Sequence, residues 1–140
     1  MKRLIPLILT LLMLPAAGAF AQSVNEGGKL NKKNLVVKEW NTNAKGVATT
    51  LDHTTTYSAE GKKLEEIEYD SAGNQKWRKR YEWGANGKIA CERVYDGRNR
   101  LVNYKKFEYN EFGKKKVQYT YDGKGKLIST KLFEYVTADD

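Results

Sequence analysis

Few side chains in this sequence could carry out chemistry, and the first is a lone histidine. His53 is the only histidine, and it stands in the segment LDHTTTY directly after Asp52. A histidine beside a carboxylate could act as a general base, as in a small hydrolase. Because no nucleophile motif accompanies it, a strand residue without a catalytic role is the simpler interpretation. We therefore predict that the protein is not an enzyme, with a small hydrolase using His53 as the weakest alternative.

The chain also has a single cysteine, Cys91, so no internal disulfide can form. Cys91 and His53 could pair as nucleophile and base, but neither stands in a nucleophile motif. We predict that Cys91 packs as a small apolar residue. One histidine and one cysteine are too few for the usual zinc sites, and no dinucleotide or phosphate-binding motif occurs. No metal and no cofactor is predicted.

The segment WRKRY mixes aromatic and basic side chains and is the second candidate for chemistry. Trp77, Arg78, Arg80 and Tyr81 could stack on and neutralise a polyanion, either a nucleic acid or an anionic glycan. The alternation within the segment predicts a simpler arrangement, in which the two rings pack inward and the two arginines face solvent. These four are the predicted binding residues.

The amino terminus has the features of a signal peptide. Lys2 and Arg3 precede the apolar run LIPLILTLLMLP, and small residues follow at Ala19 and Ala21. We predict cleavage between Ala21 and Gln22. No cysteine follows that site, which argues against a lipoprotein, and the uninterrupted apolar stretch is shorter than the roughly 20 residues of a membrane span. A secreted or periplasmic protein without a transmembrane span in the mature chain is expected.

The mature chain is basic. The leader holds two bases and no acid, so its removal lowers the formal net charge from +8 to +6 over the remaining 119 residues, which suffice for one domain. A basic chain favours acidic partners, such as an anionic glycan, a membrane surface or an acidic protein. The bases are spread along the sequence, however, and this is also typical of a β-protein that avoids aggregation. Export argues against nucleic acid.

An internal repeat organises the rest of the chain. Seven aromatic residues are separated alternately by 12 and 14 residues, which gives a double repeat of 26 residues. Four positions after each of the first six stands a glycine or, once, an asparagine. The seven aromatic residues are Tyr57, Tyr69, Trp83, Tyr95, Tyr109, Tyr121 and Tyr135.

Each repeat predicts a tight hairpin turn. Asp, Asn or Ser usually follows the aromatic residue and Gly comes three positions later, which is typical of a type I turn with a G1 bulge. Asn99 replaces glycine once, and asparagine tolerates the left-handed conformation best. An earlier, looser turn is predicted between Trp40 and Gly46. The turn-defining residues are Asp70, Gly73, Gly87, Asp96, Asn99, Gly113, Asp122 and Gly125.

This turn type predicts a register in which all odd-numbered strand residues share one face. The aromatic residues would collect on that face, and most of the charged residues would lie on the other. Predicted opposite pairs are Tyr69 with Gln75, Trp83 with Ile89, Tyr95 with Leu101, Tyr121 with Leu127, Glu68 with Lys76, Glu65 with Lys79, Val94 with Val102 and Thr120 with Ile128.

The predicted fold is all-β: an antiparallel up-and-down meander of about seven or eight strands. No amphipathic helix remains to cover an aromatic face, so the sheet should curl, in a barrel-like way, dimerise through that face or present it to a ligand. The predicted division of the chain is a signal peptide at 1–21, a flexible segment at 22–34, one β-repeat domain at 35–136 and an acidic tail at 137–140.

Two kinds of β-repeat resemble this one. YDSAG, YDGRN and YDGKG resemble the tyrosine–aspartate (YD) repeats of bacterial Rhs-type and teneurin-like proteins, whereas YSAEGK, WGANGK and YNEFGK resemble MORN-variant repeats of some bacterial antitoxins. The resemblance covers roughly residues 57–135. It implies long β-sheets that encapsulate or bind, often carbohydrate, although this chain is far smaller than the large family members.

We therefore expect an exported, non-catalytic protein that acts by binding a protein or an anionic glycan. The alternative that the resemblance suggests is an antitoxin or immunity-type inhibitor of a partner toxin. A homodimer through the aromatic face is a further expectation.

Overall fold

A computed structural model describes residues 28–138, which form eight β-strands and contain no helix. The predicted cleavage site between Ala21 and Gln22 lies outside the described residues. The chain divides into two compact units, residues 1–31 and 32–140, and all the strands belong to the second. The strands are β1 (Val36–Thr42), β2 (Ala48–Tyr57), β3 (Lys63–Tyr69), β4 (Gln75–Trp83), β5 (Ile89–Asp96), β6 (Leu101–Tyr109), β7 (Lys115–Asp122) and β8 (Leu127–Leu132).

The strands form one antiparallel sheet whose spatial order follows the chain from β1 to β8. This confirms the predicted all-β meander. β1 pairs only with β2 and β8 only with β7, so the sheet is open and the barrel-like closure is not formed. No helix among residues 28–138 has the length and apolarity needed to cross a membrane.

The predicted hairpin turns are confirmed. The N–H of Asp70 donates to Asn74 O at 2.8 Å, and the N–H of Gly73 donates to Asp70 O at 3.0 Å. The turn at Asn99, whose φ is 59°, has the same hydrogen bonds. So does the earliest turn, where Asn43 takes the place of Asp70. The prediction of a looser turn there is wrong, because Asn43 supplies the same side-chain acceptor as the aspartates.

That acceptor explains why the first turn position is Asp, Asn or Ser. Asp96 Oδ1 accepts the backbone N–H groups of Arg98 and Arg100 at 2.8 and 3.0 Å. These bonds, first the one from Arg100, hold the pKa of Asp96 below its ordinary value. Six turns share this arrangement, which satisfies two backbone donors locally. Their acceptors are Asn43, Ser58, Asp70, Asp96, Asn110 and Asp122.

Every hairpin also contains a second irregularity, which the sequence reasoning missed. Tyr69 lies opposite Gln75 as predicted, but the next residue, Glu68, lies opposite Trp77, so Lys76 is an extra residue. A bulge of this kind leaves one residue unpaired and moves the following residues to the other face. The corresponding extra residues are Leu64, Lys76, Ala90, Val102, Lys116 and Ile128, each three positions after the turn glycine or Asn99.

The bulges overturn several predicted pairs and the common face. Pairs next to the turns are confirmed, whereas Glu65 lies opposite Arg80, Val94 opposite Asn103, and Thr120 opposite Ser129. The prediction that odd-numbered aromatic residues share one face is therefore wrong, because each bulge reverses the parity of the next strand. The pairs that remain as predicted are Tyr69 with Gln75, Trp83 with Ile89, Tyr95 with Leu101 and Tyr121 with Leu127.

Cross-strand partners share a face, so the register divides the rings between two faces. We call the face that contains His53 and Glu66 the histidine face, and the face that contains Arg80 and Arg93 the arginine face. The histidine face carries Tyr57, Trp77, Tyr81, Trp83, Phe107 and Tyr109, and the arginine face carries Tyr69, Tyr95, Tyr104, Tyr119 and Tyr121.

The repeat aromatics of the histidine face hydrogen-bond to the start of the preceding strand. Trp83 Nε1 donates to Lys63 O at 2.8 Å, Tyr109 Oη to Ile89 O at 2.6 Å, and Tyr135 Oη to Lys115 O at 2.8 Å. Each bond spans 20 residues and recurs after 26, so the predicted double repeat has a direct structural counterpart.

The described residues have almost no buried core. Only Cys91, Val117 and Thr55 are buried among residues 28–138, at 4%, 7% and 8% exposure. Cys91 is buried as predicted, and burial raises the pKa of its thiol. The rings are instead half-covered by long cationic side chains, such as Lys62, whose Nζ lies 4.5 Å from the centre of the Trp83 ring.

Gly123 allows two neighbouring hairpins to approach closely. A Cβ atom at this position would lie 2.2 Å from Leu101 O. We expect Gly123→Ala to lower the free energy of unfolding by about 1–3 kcal/mol, because the backbone of one hairpin must shift. Thermal or urea unfolding would measure this. Gly84→Ala is the control, because its Cβ would meet only the Asn86 side chain, at 3.1 Å; equal effects of the two substitutions would contradict the close approach.

Candidate functional site

The four predicted binding residues lie on both faces of β4. Trp77 and Tyr81 are on the histidine face, whereas Arg78 and Arg80 are on the arginine face. The alternation within this strand is as the sequence indicated, and none of the four is fully buried. Each pair therefore has to be considered with its neighbours on its own face.

On the arginine face, four residues from four successive strands form a straight row. Arg80 lies opposite Arg93, Arg93 opposite Tyr104, and Tyr104 opposite Tyr121. We call these residues the arginine–tyrosine row. At the usual strand separation of about 4.8 Å, the row extends about 14 Å across the sheet. It was not predicted, because Arg93 and Tyr104 come together only when the bulge at Val102 is included in the register.

Two cations face each other directly within the row. Opposite like charges destabilise a sheet, so Arg80 and Arg93 need compensation. Arg80 Nε lies 3.6 Å from Glu65 Oε2, and the Arg80 side chain is 56% exposed. Arg93 donates to the carboxylate of Glu82, which is itself 58% exposed. Arg80 thus has only a distant carboxylate, and its guanidinium remains open to solvent.

A cleft of about 300 Å³ marks this part of the sheet. Its lining residues are Arg80, Tyr81, Glu82, Arg93 and Tyr95. The guanidinium carbon of Arg78, in the neighbouring position on the same face, lies 4.5 Å from the centre of the Tyr95 ring. Arg78 Nη1 is also 3.5 Å from Glu65 Oε2, so Glu65 is shared between two arginines. Cations therefore outnumber carboxylates around the cleft.

The tyrosine half of the row is a stacked pair. The rings of Tyr104 and Tyr121 are 4.8 Å apart and inclined by 9°. Lys106 Nζ lies 6.0 Å from the Tyr104 ring centre and 5.7 Å from that of Tyr121. Because each ring covers one face of the other, the pair offers ring edges and outer faces to a ligand. Planar guanidinium groups bind carboxylate or sulfate in a bidentate manner, and such rings pack well against sugars.

The histidine face contains a different polar cluster, centred on Glu66. Glu66 Oε1 lies 3.0 Å from Lys63 Nζ and 3.7 Å from His53 Nε2, and Glu66 Oε2 accepts a hydrogen bond from Tyr81 Oη. The Trp77 ring contacts the His53 ring edge-on, with centroids 5.9 Å apart. His53 is thus held between a carboxylate and an indole.

These contacts change the ionisation of the cluster. Burial alone would raise the pKa of Glu66, but the hydrogen bonds from Tyr81 and Lys63 and the nearby positive charges outweigh it and lower that pKa. Burial, followed by the hydrogen bond to the carboxylate, raises the pKa of Tyr81 well above its ordinary range. Glu66 is the acceptor that joins β2, β3 and β4 on this face.

The structure does not bring the two candidate catalytic residues together. His53 is on β2 and faces one side of the sheet, whereas Cys91 is on β5, faces the other side and is buried. Within residues 28–138, no three His, Cys, Asp or Glu side chains gather in a way that could hold a metal ion. The turn aspartates are instead acceptors of backbone N–H groups, as at Asp122.

We expect Glu66 to stabilise the fold in a pH-dependent way. Its folded pKa is below the ordinary value of 4.5, so its contribution is complete above that value and is lost as the pH falls through the folded pKa. Glu66→Gln should lower the unfolding temperature at pH 7, and the difference from wild type should shrink below pH 4.5. Glu111→Gln, at an exposed turn, is the control; a difference that is constant with pH would contradict this role.

Comparisons with known proteins give no family assignment. No protein-family model and no curated protein matches the chain. A solved structure described as the crystal structure of the GtfA/B complex bound to UDP and GlcNAc is similar over 58% of this chain, at 15% identity and a TM-score of 0.32. This chain spans 18% of that one. A likeness of this extent carries no argument about fold or function.

Proposed function

We propose that the chain is an exported, non-catalytic binding protein whose arginine face binds an anionic glycan. The observation that carries this proposal is the direct opposition of Arg80 and Arg93 on an open face. Two facing guanidinium groups repel each other, and a carboxylate or sulfate placed between them would replace that repulsion with charge-assisted hydrogen bonds. Arg80 is accessible enough to make such bonds.

The rest of the row favours a sugar as the carrier of the negative charge. Tyr104 and Tyr121 continue the line of Arg80 and Arg93, so a ligand that reaches the arginines across the sheet also reaches two phenol rings. Tyrosine combines an apolar ring with a hydroxyl group, which suits a ligand with alternating C–H and hydroxyl surfaces. An extended oligosaccharide with acidic groups fits this order of side chains.

Two features favour a glycan over a nucleic acid. The Tyr104 and Tyr121 rings stack on each other, so each has lost one of the two faces on which a base could stack. The leader at residues 1–21, with its expected cleavage, would take the protein out of the cytoplasm, where extracellular or envelope glycans are the abundant polyanions. Export and secretion are part of this proposal.

Binding to size-defined heparin oligosaccharides, measured by calorimetry, tests the proposal. We expect binding that weakens as salt rises and no binding of an uncharged dextran. Arg80→Gln/Arg93→Gln should weaken binding at least about tenfold, because hydrogen bonds to charged groups contribute about 1.5–3 kcal/mol each.

The matched control removes two arginines from a turn. Arg98→Gln/Arg100→Gln makes the same change in charge, and Arg100 is 71% exposed. This variant should bind nearly as wild type does. Equal losses in the two double variants would show that only net charge matters, and would contradict a site at the arginine–tyrosine row. Absence of binding by the wild-type protein would contradict the proposed ligand class.

A further inference from the structure

Both outer strands of the sheet present unprotected edges. All six residues of β8 are exposed, with Ile128 at 56% and Leu132 at 77%, and Val136 beyond it is 78% exposed. On the opposite edge, Trp40 of β1 is 51% exposed. An edge strand carries a row of unpaired backbone N–H and C=O groups, and proteins usually protect it with charge, proline or a covering segment. Apolar, exposed edges of this kind indicate a partner strand.

The repeat identifies which strand would fit beside β8. Lys79 of β4 lies opposite Val94 of β5, and 26 residues later Lys105 of β6 lies opposite Thr120 of β7. A third step of 26 places Lys131 of β8 opposite a strand that the sheet lacks. That strand would be equivalent to β3, β5 and β7. β1 is the remaining strand of this type, because its turn begins at Asn43 as the turn after β7 begins at Asp122.

We propose that copies of this chain associate head to tail, with β8 of one copy pairing antiparallel with β1 of a second copy. Aligning Asn43 with Asp122 fixes the register. It places Leu132 opposite Trp40 of the second copy and Glu134 opposite Lys38 of the second copy. Within one chain, Leu132 lies opposite Val117, and Lys38 lies opposite Thr54, and both pairs are on the arginine face.

Three independent properties agree in this register. Every pair places residues of the same face together, as cross-strand pairing requires. Exposed apolar residues meet each other, including Val136 with Val36 of the second copy, which is 44% exposed. The charges are complementary, because Glu134 meets Lys38. A second copy of the chain therefore satisfies the edge by shape, polarity and charge.

The contact uses different surfaces on the two copies, so it leaves one free β8 and one free β1 at the ends of any assembly. Heterologous contacts of this kind produce open, linear assemblies unless their rotation closes a ring. The arginine–tyrosine rows of successive copies would lie on one continuous face. This arrangement would give several weak sites to one long ligand, and the association does not depend on that ligand.

Sedimentation and light scattering of the exported, purified protein, without added glycan, test the proposal. The mean mass should rise steadily with concentration and pass that of a dimer. Lys38→Glu and Glu134→Lys should each weaken association about 3- to 10-fold, because each creates a like-charge pair at the contact. The double variant Lys38→Glu/Glu134→Lys should recover, because it restores an opposite pair.

A proline variant blocks the edge without disturbing β7. Phe133 N–H donates to Lys116 O, so the N–H of the preceding residue, Leu132, points away from β7. Leu132→Pro should keep the unfolding temperature near that of wild type and stop growth of the assembly. Lys124→Glu and Glu111→Lys, at exposed turns, are the charge controls.

Three outcomes would overturn the proposal. They are a monomer at all concentrations, a mass that stops at a dimer and is insensitive to Lys38→Glu, and a double charge variant that associates no better than the single variants. The second outcome would indicate pairing between two β8 edges. None of them bears on glycan binding, because Arg80 and Arg93 lie in the middle of the sheet.

Discussion

One extra residue in each hairpin determines which side chains meet in this protein. The turn itself is closed by two backbone hydrogen bonds, and the bulge follows three residues after its fourth position, as at Lys76 and Val102. Because side chains alternate along a strand, one unpaired residue transfers all later side chains to the opposite face. The two faces therefore exchange parity at every strand, and each receives a share of the aromatic residues.

This division explains how the sheet manages with so few buried residues. A single face carrying all the rings would need a cover, whereas two mixed faces can cover themselves with neighbouring cations. Arg78 lies over Tyr95 on the arginine face, and Lys115 lies over Phe107 on the histidine face, both at 4.5 Å. Such contacts are individually modest, but they recur along the repeat together with the ring-to-backbone hydrogen bonds.

The turns could be predicted from sequence because their causes are local. A left-handed fourth residue requires Gly or Asn, and an Asp, Asn or Ser side chain accepts the backbone N–H groups that follow. The bulges could not be predicted in this way. Lys76, Ala90 and Val102 have nothing in common chemically, and a bulge needs no particular residue type. The period of 26 residues, however, applies to the bulges as well as to the turns.

The candidate site depends on the same feature. Arg78 and Arg80 were recognisable from their composition alone, but their partners were not, since Arg93 and Tyr104 are aligned only by the bulge at Val102. A regular ladder would have placed Arg93 opposite Asn103 and left the stacked tyrosines one position away. The open edges, by contrast, follow from the meander itself, in which the first and last strands each have one neighbour.

The register between β5 and β6 is the most direct test of this account. Nuclear Overhauser contacts between side chains of the two strands would measure it in solution. The account predicts contacts between the Arg93 side chain and the Tyr104 ring, and between Val94 and the side chain of Asn103. Contacts of Arg93 with Asn103 and of Val94 with Val102 would contradict it, because they would require a hairpin without the bulge and would return the rings to one face.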